Sequence, residues 1–132
     1  MALPRASRAL ALQLRALTLA ERVILVSRGL PRSADAAIIR NQLVRSATST
    51  AANYRAACRA QTALGFIAKL SIAIEEADET LLWLKLSVKV GLARAEDVRP
   101  LAKEADEIVR ILVASRKTMR AKLDRKARSN SQ

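Results

Sequence analysis

The amino-acid sequence predicts an all-α fold, an antiparallel up-down-up-down four-helix bundle, and three observations lead to it. Apolar residues make up 51% of the 132 residues but aromatic residues only 2%, so the core must consist of Leu, Ile, Val and Ala, which favours packed helices. The chain contains only three Gly and three Pro, and few turns with long segments between them indicate helices. Apolar residues also recur at steps of three and four, the period of a helix with one buried face.

The first helix is predicted over about residues 7–28. Gly29 suits the position after a helix C-terminus, and Pro31 prevents the helix from continuing. Its inward-facing residues recur at steps of four and three, and they are Leu12, Ala16, Leu19, Val23, Val26 and Leu30.

The second helix begins after Ser33 or Asp35, either of which can cap its first turn, and extends to about Arg59. Its inward face becomes small and polar in the second half, with Ile39, Leu43, Ser46, Thr50, Asn53 and Ala57 at the core spacing. A buried Asn53 amide needs a hydrogen-bond partner on another helix, or its burial is costly. A structural polar link between helices and a contact to a ligand both remain open for Asn53.

The third helix, about residues 62–90, carries two stripes of apolar residues. The core stripe is Ile67, Leu70, Ile74, Ala77, Leu81, Leu84 and Val88, spaced as heptads. A second stripe lies on nearly the opposite face and consists of Ile72, Glu76, Glu79, Trp83, Leu86 and Val90. One four-helix core cannot cover both faces, so we expect the second stripe to contact another copy of the chain.

The fourth helix begins near Glu96, where Pro100 is still within the tolerated first turn. Its inward stripe is Leu101, Ala105, Ile108, Leu112, Ser115 and Met119. The charged and polar segment 124–132 is predicted to be a disordered tail, so the single bundle domain spans residues 1–123.

The chain carries 24 Lys and Arg against 12 acidic residues, a net charge of +12, which is typical of a protein with a polyanionic partner. Arg45, Arg55 and Arg59 share one outward line of helix 2, and Arg guanidinium groups suit phosphates. Further candidate phosphate contacts lie in the basic part of helix 4, at Arg116, Lys117 and Arg120. The alternative for the helix 2 line is an exposed face with salt bridges to acidic residues of helix 3.

Residues suited to catalysis are largely missing. The chain has no His, which excludes Ser-His pairs, His general bases and most zinc sites. The acidic cluster Glu75, Glu76, Asp78 and Glu79 could hold Mg²⁺ in principle, but a structural role is the better interpretation, with Glu76 and Glu79 paired to Arg of another helix or subunit. We predict no catalytic residue, no metal site and no cofactor.

The compartment is predicted from Cys58 and from hydropathy. A single Cys cannot form an internal disulfide, so the cytoplasm is the simplest location. No uncharged apolar stretch approaches the roughly 20 residues that a membrane-spanning helix needs.

Residues 42–84 resemble the bacterial four-helix-bundle protein family that includes proteins encoded within intervening sequences of large-subunit ribosomal RNA genes and the accessory variability determinant of diversity-generating retroelements. The resemblance rests on Gln42-Leu43, Arg45-Ser46, Thr48-Ser49, Ala52-Asn53-Tyr54, Phe66, Lys69-Leu70, Ile72-Ala73, Glu76-Ala77, Glu79-Thr80 and Trp83-Leu84. It implies a homo-oligomer, a pentameric ring of bundles, with a basic surface that serves a reverse transcriptase and nucleic acid in the retroelement protein.

The function expected from these observations is a cytoplasmic, non-enzymatic oligomeric scaffold that binds RNA or DNA through backbone phosphates. With three aromatic residues in the chain, base stacking contributes little, so binding should depend weakly on sequence. The alternative is a protein-interaction scaffold whose positive charge steers an acidic protein partner, such as a reverse transcriptase.

Overall fold

A computed structural model describes residues 5–131, and these form four α-helices: α1 (Arg5–Arg28), α2 (Ala34–Cys58), α3 (Ala63–Lys89) and α4 (Ala95–Asn130). Each helix packs against its neighbours in the chain, and α1 also packs against α4, whereas the backbones of the diagonal pairs α1 and α3, and α2 and α4, stay farther apart. The predicted antiparallel four-helix bundle is confirmed.

Capping residues set where the helices begin and end. The Ser33 hydroxyl accepts a hydrogen bond from the Ala36 N–H, as predicted for the start of α2, and the Thr62 hydroxyl accepts one from Gly65 at the start of α3. Gly91 follows α3 with a φ of +77°, a left-handed conformation that favours glycine and ends the helix.

The core lies along the predicted inward faces, and its fully buried large side chains come from all four helices: Leu19, Val23, Leu43, Leu70, Leu84, Leu101, Ile108 and Leu112. Ser46 and Thr80 are fully buried and bridge α2 and α3 through their hydroxyl oxygens, 2.9 Å apart. Because Ser46 also donates to the Leu43 carbonyl, its buried hydroxyl is satisfied.

The hydrogen bonds of Asn53 differ from the prediction, which gave its amide a partner on another helix. The side chain is only half-buried, and its Nδ2 donates to the carbonyl and the hydroxyl of Ser49 on the same helix, at 2.9 and 3.0 Å. The adjacent Tyr54, which is 5% exposed, enters the core at this level instead. Because its aromatic side chain is long, Tyr54 reaches the core from the edge of the inward stripe of α2, so Tyr54 is buried in place of Asn53.

The predicted disordered tail also differs from the structure, since α4 continues as a helix through Asn130. Residues 124–130 contain no Gly or Pro, and Ala, Arg and Lys are strong helix formers. All seven side chains are exposed, so α4 extends along its axis without burying them. Gln132 lies outside the described residues.

Candidate nucleic-acid interface

The fold collects most of the excess positive charge at one end of the bundle. Neighbouring helices run antiparallel, so the start of α1, the end of α2, the start of α3 and the end of α4 lie together. We call residues 6–12, 53–70 and 112–131 the basic end. It contains eleven Lys and Arg and one acidic residue, Asp124. The remaining segments, residues 13–52 and 71–111, contain twelve Lys and Arg and eleven acidic residues.

Five of the six predicted phosphate contacts lie at the basic end. Arg55 and Arg59 are exposed at the C-terminus of α2. Arg116, Lys117, Arg120 and the acidic Asp124 line a depression of about 350 Å³ on α4. Among residues 6–131, none of these five forms an ion pair with a carboxylate.

Arg116 is held in place by a neighbouring helix. Its Nη1 donates a hydrogen bond to the Ser71 hydroxyl of α3 at 3.2 Å. This contact fixes the guanidinium without neutralising it, because Ser carries no charge, so the remaining N–H groups stay free to donate to a phosphate.

Arg45, the sixth candidate, lies outside the basic end and is engaged by two carboxylates. Its Nη2 donates to Glu79 Oε1 at 2.7 Å and its Nη1 to Glu76 Oε1 at 3.2 Å. The Arg45 guanidinium, followed by the Trp83 indole, holds the pKa of Glu79 below its usual value. Glu76 and Glu79 thus pair with an Arg of another helix, as predicted, and the Arg45 charge is balanced.

The predicted interface stripe on α3 is exposed only in part. Ile72 and Val90 are 39% and 51% exposed. Glu76, Glu79, Trp83 and Leu86 are half-buried, and Trp83 packs against the core while its Nε1 donates to Glu79 at 3.2 Å. Trp83 therefore contributes to the fold of the single chain as well as to the outer face.

A second apolar face, on α1, was missed by the sequence analysis. Leu10, Leu14 and Leu17 are 56%, 56% and 60% exposed, and their spacing of four and three residues places them on one side of the helix. This spacing is visible in the sequence, but the inward stripe of α1 has the same period. Because α1 and α3 are diagonal, the two exposed apolar faces point away from each other.

Other site chemistries have little support in the described residues. Within residues 5–131, no three His, Cys, Asp or Glu side chains are grouped so that they could hold a metal ion. No described helix combines the length and the apolar character needed to cross a membrane. Cys58 is a free thiol, half-buried at the C-terminus of α2.

Comparison with known proteins supports the resemblance. The model of the family described as 23S rRNA-intervening sequence protein matches residues 8–114. A crystal structure of a protein of unknown function from the S23 ribosomal protein family of Bacteroides thetaiotaomicron superposes with a TM-score of 0.76 at 30% sequence identity, covering 83% of this chain and 97% of that one. No curated protein matches the chain.

Proposed function

The chain belongs to the 23S rRNA-intervening sequence protein family, and we propose that it is a non-enzymatic homo-oligomeric scaffold that binds nucleic acid through phosphate contacts at its basic end. Arg55, Arg59, Arg116, Lys117 and Arg120 are the contact residues in this proposal. The neutralised Arg45 stabilises the bundle instead.

The observation that supports this proposal is the separation of charge along the bundle. Eleven basic residues against one acidic residue at one end produce a local field that a balanced distribution of the same charges would not produce. Phosphate backbones bind such a surface by releasing counterions, and this term does not depend on base sequence. We therefore expect RNA and DNA of different sequences to bind with similar affinity.

The assembly in this proposal is a pentameric ring, and the two apolar faces support it. A face on α1 that contacts a different face on the α3 of the next copy makes a heterologous interface, and repeated heterologous contacts close into a ring when the rotation allows. Five copies would place five basic ends, each from a chain of +12, in one particle. Such multivalency raises the avidity for a long polyanion.

Titration tests the binding directly. Fluorescence anisotropy with labelled duplex RNA and duplex DNA, each at two salt concentrations, should give an affinity that falls steeply as salt rises. Absence of binding even at the lower salt concentration contradicts the proposal.

A second candidate function is a scaffold for an acidic protein partner, such as a reverse transcriptase, and the exposed Leu side chains of α1 favour it, since such side chains mark protein contacts. Affinity capture from bacterial lysate with and without nuclease separates the two functions. Partners that are lost after nuclease treatment were bound through nucleic acid. Partners that are retained were bound directly. For either function we propose the cytoplasm as the location, because the single Cys58 requires no oxidising compartment.

A further inference from the structure

A cavity of about 960 Å³ opens at the basic end, lined by residues of all four helices. Tyr54 and Cys58 of α2 and Phe66 of α3 lie on one side, and Ile111 and Met119 of α4 on another. The cavity is partly open to solvent, and its volume lies within the roughly 300–1,000 Å³ of small-molecule pockets. The cavity therefore requires an explanation.

Small side chains produce the cavity. Six of its lining residues are alanines, which range from buried (Ala57) to exposed (Ala11 and Ala114): Ala9, Ala11, Ala57, Ala60, Ala63 and Ala114. The alanine methyl groups are too small to fill the space between the start of α1 and the second half of α4. They make the cavity walls apolar without interrupting the helices.

The charged groups that line the cavity are all cations. Arg15 is already engaged, since its Nε and Nη2 donate to Glu104 at 3.0 and 2.6 Å. Arg8 and Lys122 also line the cavity, and neither has a carboxylate partner among residues 6–131. Two uncompensated cations beside an apolar space are complementary to a molecule with one anionic group and an apolar body.

We infer that the cavity binds a soluble amphipathic anion of the fatty-acid class, with its alkyl chain along the alanine-lined wall and its carboxylate at Arg8 and Lys122. Tyr54 also lines the cavity as a neutral hydrogen-bond donor, and burial and the neighbouring Cys58 raise its pKa further above neutrality. Arg116, Lys117 and Arg120 do not line the cavity, so this site is separate from the proposed phosphate contacts of the depression on α4.

Cys58 supplies the measurement, since it lines the cavity and is the only Cys of the chain. The neutral reagent 4,4′-dithiodipyridine reports the rate of thiol modification in the full chain, with laurate added below its critical micelle concentration. Laurate is expected to slow the reaction saturably, because only unliganded protein reacts. Dodecyltrimethylammonium, with the same chain and the opposite charge, should protect little.

Matched substitutions test the position of the head group. Lys122→Gln should weaken laurate protection about tenfold, the loss of one charge-assisted contact. Lys69→Gln removes the same charge at the basic end but outside the cavity, and should leave protection unchanged. Ala114→Trp should fill the cavity and abolish protection, while Ala68→Trp on the exposed side of α3 should not. The Lys pair still tests the inference if a Trp variant fails to fold.

Three results would overturn the inference. The first is equal protection by laurate and the cationic detergent, which indicates general apolar binding. The second is absence of laurate protection in wild type. The third is protection that rises with protein concentration without laurate, which assigns the cavity to a second copy of the chain. Lys122 belongs to the basic end, so RNA titration of Lys122→Gln and wild type is run in parallel, and a loss of laurate protection larger than the loss of RNA affinity separates this site from the proposed function.

Discussion

Arg45 of α2 and Glu79 of α3 form an ion pair with Nη2 and Oε1 2.7 Å apart. The sequence predicts Arg45 as a phosphate contact and Glu79 as an interface residue. Glu76 binds the same guanidinium and is the more buried carboxylate, with a side chain 17% exposed. The cluster joins two helices, so its main effect is on the stability of the bundle.

Replacing Arg45 and Arg59 separately should therefore give opposite results. Arg45→Gln should lower the melting temperature, because Glu76 and Glu79 lose their counter-charge, and should leave RNA affinity nearly unchanged. Arg59→Gln removes the same charge from the basic end, and should weaken RNA binding without lowering the melting temperature. Thermal unfolding and anisotropy titration measure the two effects, and a larger loss of affinity in Arg45→Gln would show that the ion pair opens for phosphate.

The depression on α4 predicts how binding depends on salt. Each of Arg116→Gln, Lys117→Gln and Arg120→Gln should reduce the slope of log affinity against log salt concentration by about 1, since each removes one phosphate contact. Lys103→Gln, an exposed Lys outside the basic end, is the control and should keep the wild-type slope. Slopes that are unchanged in all three variants would exclude these residues as contacts.

The exposed leucines of α1 predict a separation between assembly and stability. Leu14→Glu and Leu17→Glu should shift the particle to smaller mass in light scattering, because a charge in an apolar interface opposes association. Their side chains are exposed in the single chain, so the free energy of unfolding of the dissociated chain should change by no more than about 0.5 kcal/mol.

Ile38→Glu is the control for assembly, since Ile38 is 61% exposed on α2 and belongs to neither apolar face. It should keep the wild-type mass. A wild-type chain that stays monomeric at all concentrations would refute the assembly altogether. Trp83→Ala is a less selective test, because Trp83 also packs against the core.

The pair between Arg15 and Glu104 predicts a dependence of stability on pH. Hydrogen bonding from Arg15 lowers the pKa of Glu104, so the pair stabilises the fold above the unfolded-state pKa of about 4.3. This contribution is lost as pH falls through the lower folded-state pKa. Glu104→Gln should cost about 0.5–1 kcal/mol at pH 7, and the difference from wild type should disappear in strong acid.

Chemical denaturation of both proteins across this pH range measures that effect. The control is Asp78→Asn, which changes an exposed carboxylate outside any ion pair among the described residues. Its difference from wild type in the free energy of unfolding should vary much less with pH. A Glu104→Gln difference that persists unchanged at low pH would mean that packing of the side chain, rather than its charge, stabilises the contact.

The helices could be predicted closely because their signals are local. Periodicity identified the faces that contain Leu19, Leu43, Leu70 and Leu101, and Gly29 with Pro31 marked the first turn. These signals depend on residues within about one helical turn, which a sequence displays directly. The helical segment 124–130 was not predicted, because it has good helix formers but no apolar periodicity.

The sites were harder to predict because they depend on how helices align. The pairing of Arg45 with Glu76 depends on the register between α2 and α3, and only the general expectation of an Arg partner could be stated beforehand. The basic end requires knowledge that α2 and α4 end on the same side. The alanines of the cavity gave no signal, since alanine is favourable at any position of a helix, exposed or buried.

The central claim is that the position of the positive charge, rather than its amount, determines nucleic-acid affinity. Two triple variants of equal net charge test it. Arg59, Arg116 and Arg120 are changed to Gln in one variant, and Arg28, Arg32 and Arg99, exposed at the opposite end, in the other. Anisotropy titration with duplex RNA at one fixed salt concentration should show an affinity at least about tenfold lower for the first variant than for the second. Equal losses in the two variants would contradict the claim, because total charge alone would then account for binding.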